Sequence, residues 1–88
     1  MRITFKLYAM LEDYLPREHG EHRRVGNVLP LDVPEGTTVQ SVIDQFGLPV
    51  RLVHLVLVDG RYVEPGDRAS RALTEGEVLA IWPPVAGG

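Results

Sequence analysis

The stretch Thr37-Thr38-Val39-Gln40-Ser41-Val42-Ile43-Asp44-Gln45-Phe46-Gly47 decides how the rest of this chain is read. Val39, Val42, Ile43 and Phe46 fall at i, i+3, i+4 and i+7, the apolar stripe of an amphipathic helix. Thr37 and Gln40 have the spacing of a capping box at its start. Gly47 stands where a helix ends on a left-handed residue, and Pro49 forbids continuation. Pro34-Glu35-Gly36 turns the chain into the helix.

Toward the N-terminus the period changes. Arg2 to Tyr8 alternates polar and apolar, so Ile3, Phe5 and Leu7 share the buried face of a strand. Met10, Leu11, Tyr14 and Leu15 have helical spacing, but Pro16 stops the run, which predicts one or two turns packed on the core. Residues 17–26 are polar and contain Gly20 and Gly26, the composition of an exposed loop. Val28, Leu29, Leu31 and Val33 mark a second strand. Pro30 within it predicts a sheet edge, because proline cannot donate to a ladder.

Toward the C-terminus, Val53 to Val58 is apolar on both faces apart from His54, which predicts a central strand. Asp59-Gly60 is a hairpin dipeptide leading into a short strand, Arg61-Tyr62-Val63. Pro65-Gly66-Asp67 and Thr74-Glu75-Gly76 are turns, and Leu73 anchors the segment between them. Val78 to Trp82 is the last strand, stopped by Pro83-Pro84. The expected division is a folded domain over 1–82 and an extended tail over 83–88.

The chain has 88 residues, a formal net charge of -3 and no cysteine. One small core leaves little room for a deep pocket made by this chain alone, which favours a carrier or a subunit. Mild acidity with Arg and Asp/Glu interspersed argues against nucleic acid as a partner. No apolar run approaches the roughly 18 residues of a membrane span, and MRITFKLY opens directly on a strand pattern, so a cytoplasmic protein is expected. Absence of cysteine removes disulfides, thiolate metal sites and a cysteine nucleophile. Glu18-His19 and Glu21-His22 have two histidines but no further ligand in view; a solvated loop is the simpler account, and no metal is expected. Arg61 and Arg68 read as a solvated face.

One helix between two strand pairs predicts an α+β fold, a mixed sheet of about five strands with the helix packed across one face. Three patterns select among such folds: Val56-Leu57-Val58-Asp59-Gly60, Leu73-Thr74-Glu75-Gly76-Glu77, and Pro83-Pro84-Val85-Ala86-Gly87-Gly88. Together they resemble the ubiquitin-like sulfur-carrier family, which contains the small subunit of molybdopterin synthase and the sulfur carrier of thiamine synthesis. The proline pair and final Gly-Gly are closer to the molybdopterin subunit. The early helix end at Gly47 is closer to the thiamine carriers. Asp59 stands where the family often has Asn, and Glu77 where it often has Asp.

The resemblance implies a β-grasp fold and a working group at the carboxylate of Gly88. It implies that a ubiquitin-activating-type enzyme uses ATP to convert that carboxylate to an acyl-adenylate. A persulfide donor then supplies sulfur, and the resulting thiocarboxylate is delivered to the molybdopterin synthase large subunit or another sulfur-accepting enzyme. The chain itself then binds no cofactor and is a co-substrate rather than an enzyme on its own. A carrier for thiamine or another sulfur metabolite, a ubiquitin-like protein modifier and a non-catalytic interaction module are the alternatives.

The residues suit the carrier chemistry. Gly87 and Gly88 lack side chains and fit a narrow tunnel. Pro83 and Pro84 hold Val85 and Ala86 extended, which reduces the entropy lost on insertion. The competing account is a frayed end rich in glycine and proline. With Leu79 and Ile81 in the core, Ala80 and Trp82 face the other way. If Leu55 and Leu57 point inward, His54, Val56 and Val58 lie outward beside them and complete a partner-binding patch at the root of the tail. The reverse register would put Trp82 in the core.

Overall fold

The computed structural model describes residues 1–84. β1 (Arg2–Leu7) buries Ile3, Phe5 and Leu7 completely, as its alternation requires. It pairs antiparallel with β4 (Val28–Asp32) and parallel with β7 (Val78–Trp82). β7 pairs antiparallel with β5 (Leu55–Val58), which pairs with the two-residue β6 (Arg61–Tyr62). The order across this mixed sheet is β4-β1-β7-β5-β6. Pro30 therefore lies in an edge strand, as expected. The middle position, however, belongs to β7; β5 is second from the edge, and its strand starts at Leu55 rather than Val53, after a 3-10 turn over Val50–Leu52.

The helix α1 (Val39–Gln45) lies across one face of the sheet. It buries Val39, Val42 and Ile43, and Phe46 packs on Phe5 with ring centroids 5.2 Å apart. Its capping box sits one residue later than the spacing predicts. Thr38 Oγ1 accepts from the Ser41 amide (3.1 Å), and Ser41 Oγ accepts from the Thr38 amide (2.8 Å). Thr37 belongs to the preceding turn, where its hydroxyl donates to the Pro34 carbonyl (2.7 Å). Gln40 instead donates to Asp44 one turn on. Gly47 ends the helix at φ 68°; its amide reaches the Asp44 carbonyl and the Leu48 amide reaches that of Ile43, the pair of bonds that defines a Schellman motif. This is the α+β, β-grasp arrangement that the three sequence patterns imply.

Residues 17–26 are not a simple loop. Glu18–His19 and His22–Arg23 form β2 and β3, a hairpin joined at Gly20-Glu21 that lies beside the β4 edge. Arg24 ties it down: its guanidinium donates to the carbonyls of Glu12 (2.9 Å) and Leu15 (2.8 Å) and to the Glu12 carboxylate (3.2 Å). His22 bonds Asp32 at 2.8 Å, and His19 packs edge-on against Phe46. The hairpin thus shields a strand edge that would otherwise offer unpaired backbone groups. The 3-10 turn over Ala9–Tyr14 buries Leu11, and Leu15 is buried just after it, while Met10 stays exposed.

Candidate docking face and tail root

The side of the sheet away from α1 carries the candidate site. Leu79 and Ile81 are fully buried toward the helix. Val58 and Val56 stand opposite them in the ladder and are equally buried. Cross-strand partners share a face, so the outward residues of β5 are Leu55, paired with Trp82, and Leu57, paired with Ala80. The expected assignment of Val56 and Val58 to the outer patch is corrected: both are core. The cause is that β5 is apolar on both faces, so period two leaves its register open. Ala80 and Trp82 do lie on the outer side as expected. Ala80 is only 7% exposed because the taller side chains of its neighbours flank it.

Tyr8, which sequence reasoning missed, completes the patch. Its ring stacks on Trp82 with centroids 4.0 Å apart and planes 10° from parallel. The Tyr8 amide donates to the Ile81 carbonyl, and the next residue, Ala9, turns away with φ 52°. That left-handed conformation is costly for alanine, and it ends β1 where Tyr8 meets Trp82. The signal for Tyr8 was present: it continues the Thr4-Lys6 alternation on the face opposite Ile3, Phe5 and Leu7. Tyr62, paired with Leu57, extends the patch to the β6 edge and is 52% exposed. His54 is exposed just before β5; its amide donates to the Trp82 carbonyl (3.0 Å), lengthening the ladder. It stands outside the Tyr8–Trp82–Leu55 row.

The proline pair divides. Pro83 is buried and Pro84 exposed, so the packed body runs one residue beyond Trp82. Val85, Ala86, Gly87 and Gly88 lie outside the described residues.

Two turns fix β7 and with it the tail root. Asp59 and Gly60 both have positive φ (48° and 81°), as a type I′ hairpin turn requires. The Asp59 carboxylate also accepts from the Val78 amide at 2.8 Å. Glu77 accepts from Arg71 (2.7 Å) and from the Thr74 amide (2.7 Å). The Arg71 guanidinium holds the Glu77 carboxyl below its ordinary range, and Arg71 is raised in return. At the far end of the outer face, His22 first and then Arg2 lower the Asp32 carboxyl.

Arg68 departs from the solvated reading. It is 5% exposed, and its Nε donates to the Val63 carbonyl at 3.1 Å. Its role is to satisfy backbone acceptors beneath β6. Arg61 is exposed. Among the described residues, no group of three or more His, Asp or Glu side chains is placed to hold a metal ion. No helix among them is long and apolar enough to cross a membrane.

The ThiS family model matches residues 20–88. The chain belongs to the ThiS family. Within this ThiS-family chain the matched span takes in α1, β5 and β7 and runs through Gly87-Gly88, while β1 precedes it. Among solved structures the chain is similar to SAMP1 from Haloferax volcanii, at 24% identity over 100% of both chains with a TM-score of 0.67. It is also similar to a protein assigned as molybdopterin converting factor, subunit 1, from Pyrococcus furiosus, at 18% identity over 96% of this chain and 98% of that one, TM-score 0.66. At these identities the likeness establishes the fold alone, the β-grasp arrangement described above. No curated protein sequence matches the chain.

Proposed function

We propose that this ThiS-family chain is a sulfur carrier that works through the carboxyl group of Gly88, most specifically as the small subunit of a molybdopterin synthase. The observation that carries this reading is the family match over residues 20–88, which joins the Gly87-Gly88 pair to the folded body. The outer face of Tyr8, Leu55, Leu57 and Trp82 supports it. That face lies at the root of the segment beginning at Pro84, where an enzyme acting on Gly88 would hold the body.

A carboxylate is a poor electrophile. In the proposed cycle a ubiquitin-activating-type enzyme joins the Gly88 carboxylate to the α-phosphorus of ATP, releasing pyrophosphate. The terminal sulfur of a donor's persulfide displaces AMP from the acyl carbon. A thiol then cleaves the acyl disulfide and leaves the thiocarboxylate. That group, a soft nucleophile, attacks an activated carbon held by the accepting enzyme. The chain has no cysteine, so no side-chain thiol competes for the sulfur. ATP is bound by the partner, and the chain requires no cofactor.

Intact mass spectrometry after incubation with ATP, the activating enzyme and a persulfide donor tests this. The expected product is heavier by the difference between sulfur and oxygen. No such product, or amide-linked adducts alone, would overturn the carrier reading and favour a protein modifier. Co-purification with a molybdopterin synthase large subunit supports the pathway; capture by a thiamine-forming enzyme instead reassigns it.

A further inference from the structure

The outer face contains one cation in an awkward place. Lys6, the only lysine in the sequence, stands beside Ala80 across the β1–β7 pair and beside Val28 across the β1–β4 pair. Leu57 and Tyr62 continue the same row. The ion pairs among the described residues join Arg2 and His22 to Asp32, Arg23 to Glu18, Arg24 to Glu12 and Arg71 to Glu77. Lys6 takes part in none of them.

We propose that the occupant of this face is a protein whose apolar surface places a carboxylate opposite Lys6, and that Lys6 sets specificity in the docking step. The inference rests on the proposed carrier function. Neighbouring strands stand about 4.8 Å apart, so a partner that covers Ala80 and Trp82 on β7 also covers Lys6 on β1. Burying an unpaired ammonium among apolar groups is strongly unfavourable, whereas a buried charge with a hydrogen-bonded partner is tolerated. A partner lacking the acid is therefore rejected, and one that has it gains an attraction little screened by water.

A second copy of this chain is a poor occupant. The strand residues of this face include a single carboxylate, Asp32, and it is already held by Arg2 and His22. It also lies four residues along β4 from Val28, the partner of Lys6, or about 13 Å at strand spacing. Laid face to face, two copies would bury Lys6 without a free acid, so the face disfavours self-association.

The test is ATP–pyrophosphate exchange by the activating enzyme, with the full chain as the varied substrate. Lys6→Met keeps the stem and removes the charge; it is expected to raise KM roughly tenfold or more with little change in kcat. Lys6→Glu raises it further, and Lys6→Arg recovers most of the affinity. Raising the salt concentration raises the wild-type KM and leaves that of Lys6→Met nearly flat. Melting curves matching the wild type exclude a folding defect. If Lys6→Met keeps the wild-type KM while Trp82→Ala raises it, the inference fails and the carrier reading stands. A lower KM for Lys6→Met, or a wild-type dimer by sedimentation that this variant alters, also overturns it. A wild-type chain that supports no exchange and gains no sulfur overturns the carrier reading, and this inference with it.

Discussion

The two sides of one sheet use apolar residues to different ends. Toward α1, the strands present Ile3, Phe5, Leu7, Leu29, Leu31, Val56, Val58, Leu79 and Ile81, every one of them at most 1% exposed. On the outer side the same strands present Lys6, Leu55, Leu57 and Trp82 only partly buried, with Tyr62 more than half exposed. The first set is consumed in folding. The second retains apolar surface of the kind that often marks a partner site. In a fold this small the two sets are a single residue apart along each strand, so function is placed one peptide unit from stability.

The largest expected effect breaks the inner side. Phe5→Ala removes a fully buried ring that packs on Phe46 and should destabilise by about 3–5 kcal/mol in urea unfolding, a large part of a small domain's total. On the outer side Leu57→Ser should change stability by about 1 kcal/mol or less. The same variant should weaken binding to the activating enzyme about tenfold by calorimetry. Equal losses of stability from the two substitutions would erase the distinction between the sides.

Glu77 sharpens the comparison at the rim that both sides share. Its carboxyl is held below the ordinary value of 4.5, chiefly by Arg71. A carboxyl lowered in the folded state contributes stability above its unfolded value and loses it as the pH falls through the folded one. Wild-type stability should therefore fall more steeply than that of Glu77→Gln as the pH drops below about 4.5. The difference should be about 1 kcal/mol, discounted for solvent around Arg71, which is 37% exposed. Parallel acid profiles would remove Glu77 from the account. The smallest effect belongs to Asp59→Asn. Asparagine tolerates positive φ and can still accept from the Val78 amide, so the change should stay within about 0.5 kcal/mol. Asp59→Ala loses both features and should cost about 1–2 kcal/mol.

The inner side was readable from sequence at β1 and α1, where Ile3-Phe5-Leu7 and Val39-Val42-Ile43 carry unambiguous periods, but not at Val56 and Val58. The helix stop at Gly47 and the Asp59-Gly60 turn were readable for a different reason: each needs a special backbone conformation that few residues supply. The outer side was half readable. Trp82 and Ala80 followed from Leu79 and Ile81, but Leu55 and Leu57 did not, since a strand apolar on both faces gives alternation nothing to choose between. The hairpin at 18–23 was hidden by its polarity; it is held by Arg24 on carbonyls and His22 on Asp32, contacts that no pattern of hydrophobicity announces. Arg68 was missed likewise, because a buried arginine bonded to backbone looks in sequence like any surface arginine.

The last strand in the sequence is the middle strand of the sheet. Thr4 pairs with Val78 across most of the chain's length, so the core cannot close until β7 is in place. During synthesis everything before residue 78 remains a set of half-covered pieces, with β1 and β5 lacking the neighbour that joins them. The outer face, divided between β1 and β5, comes into being with the same strand that leads into the tail. A chain cut short before β7 would have neither this face nor Gly88, so under the proposed carrier function an enzyme that recognises the face would not engage a body that lacks the reactive terminus.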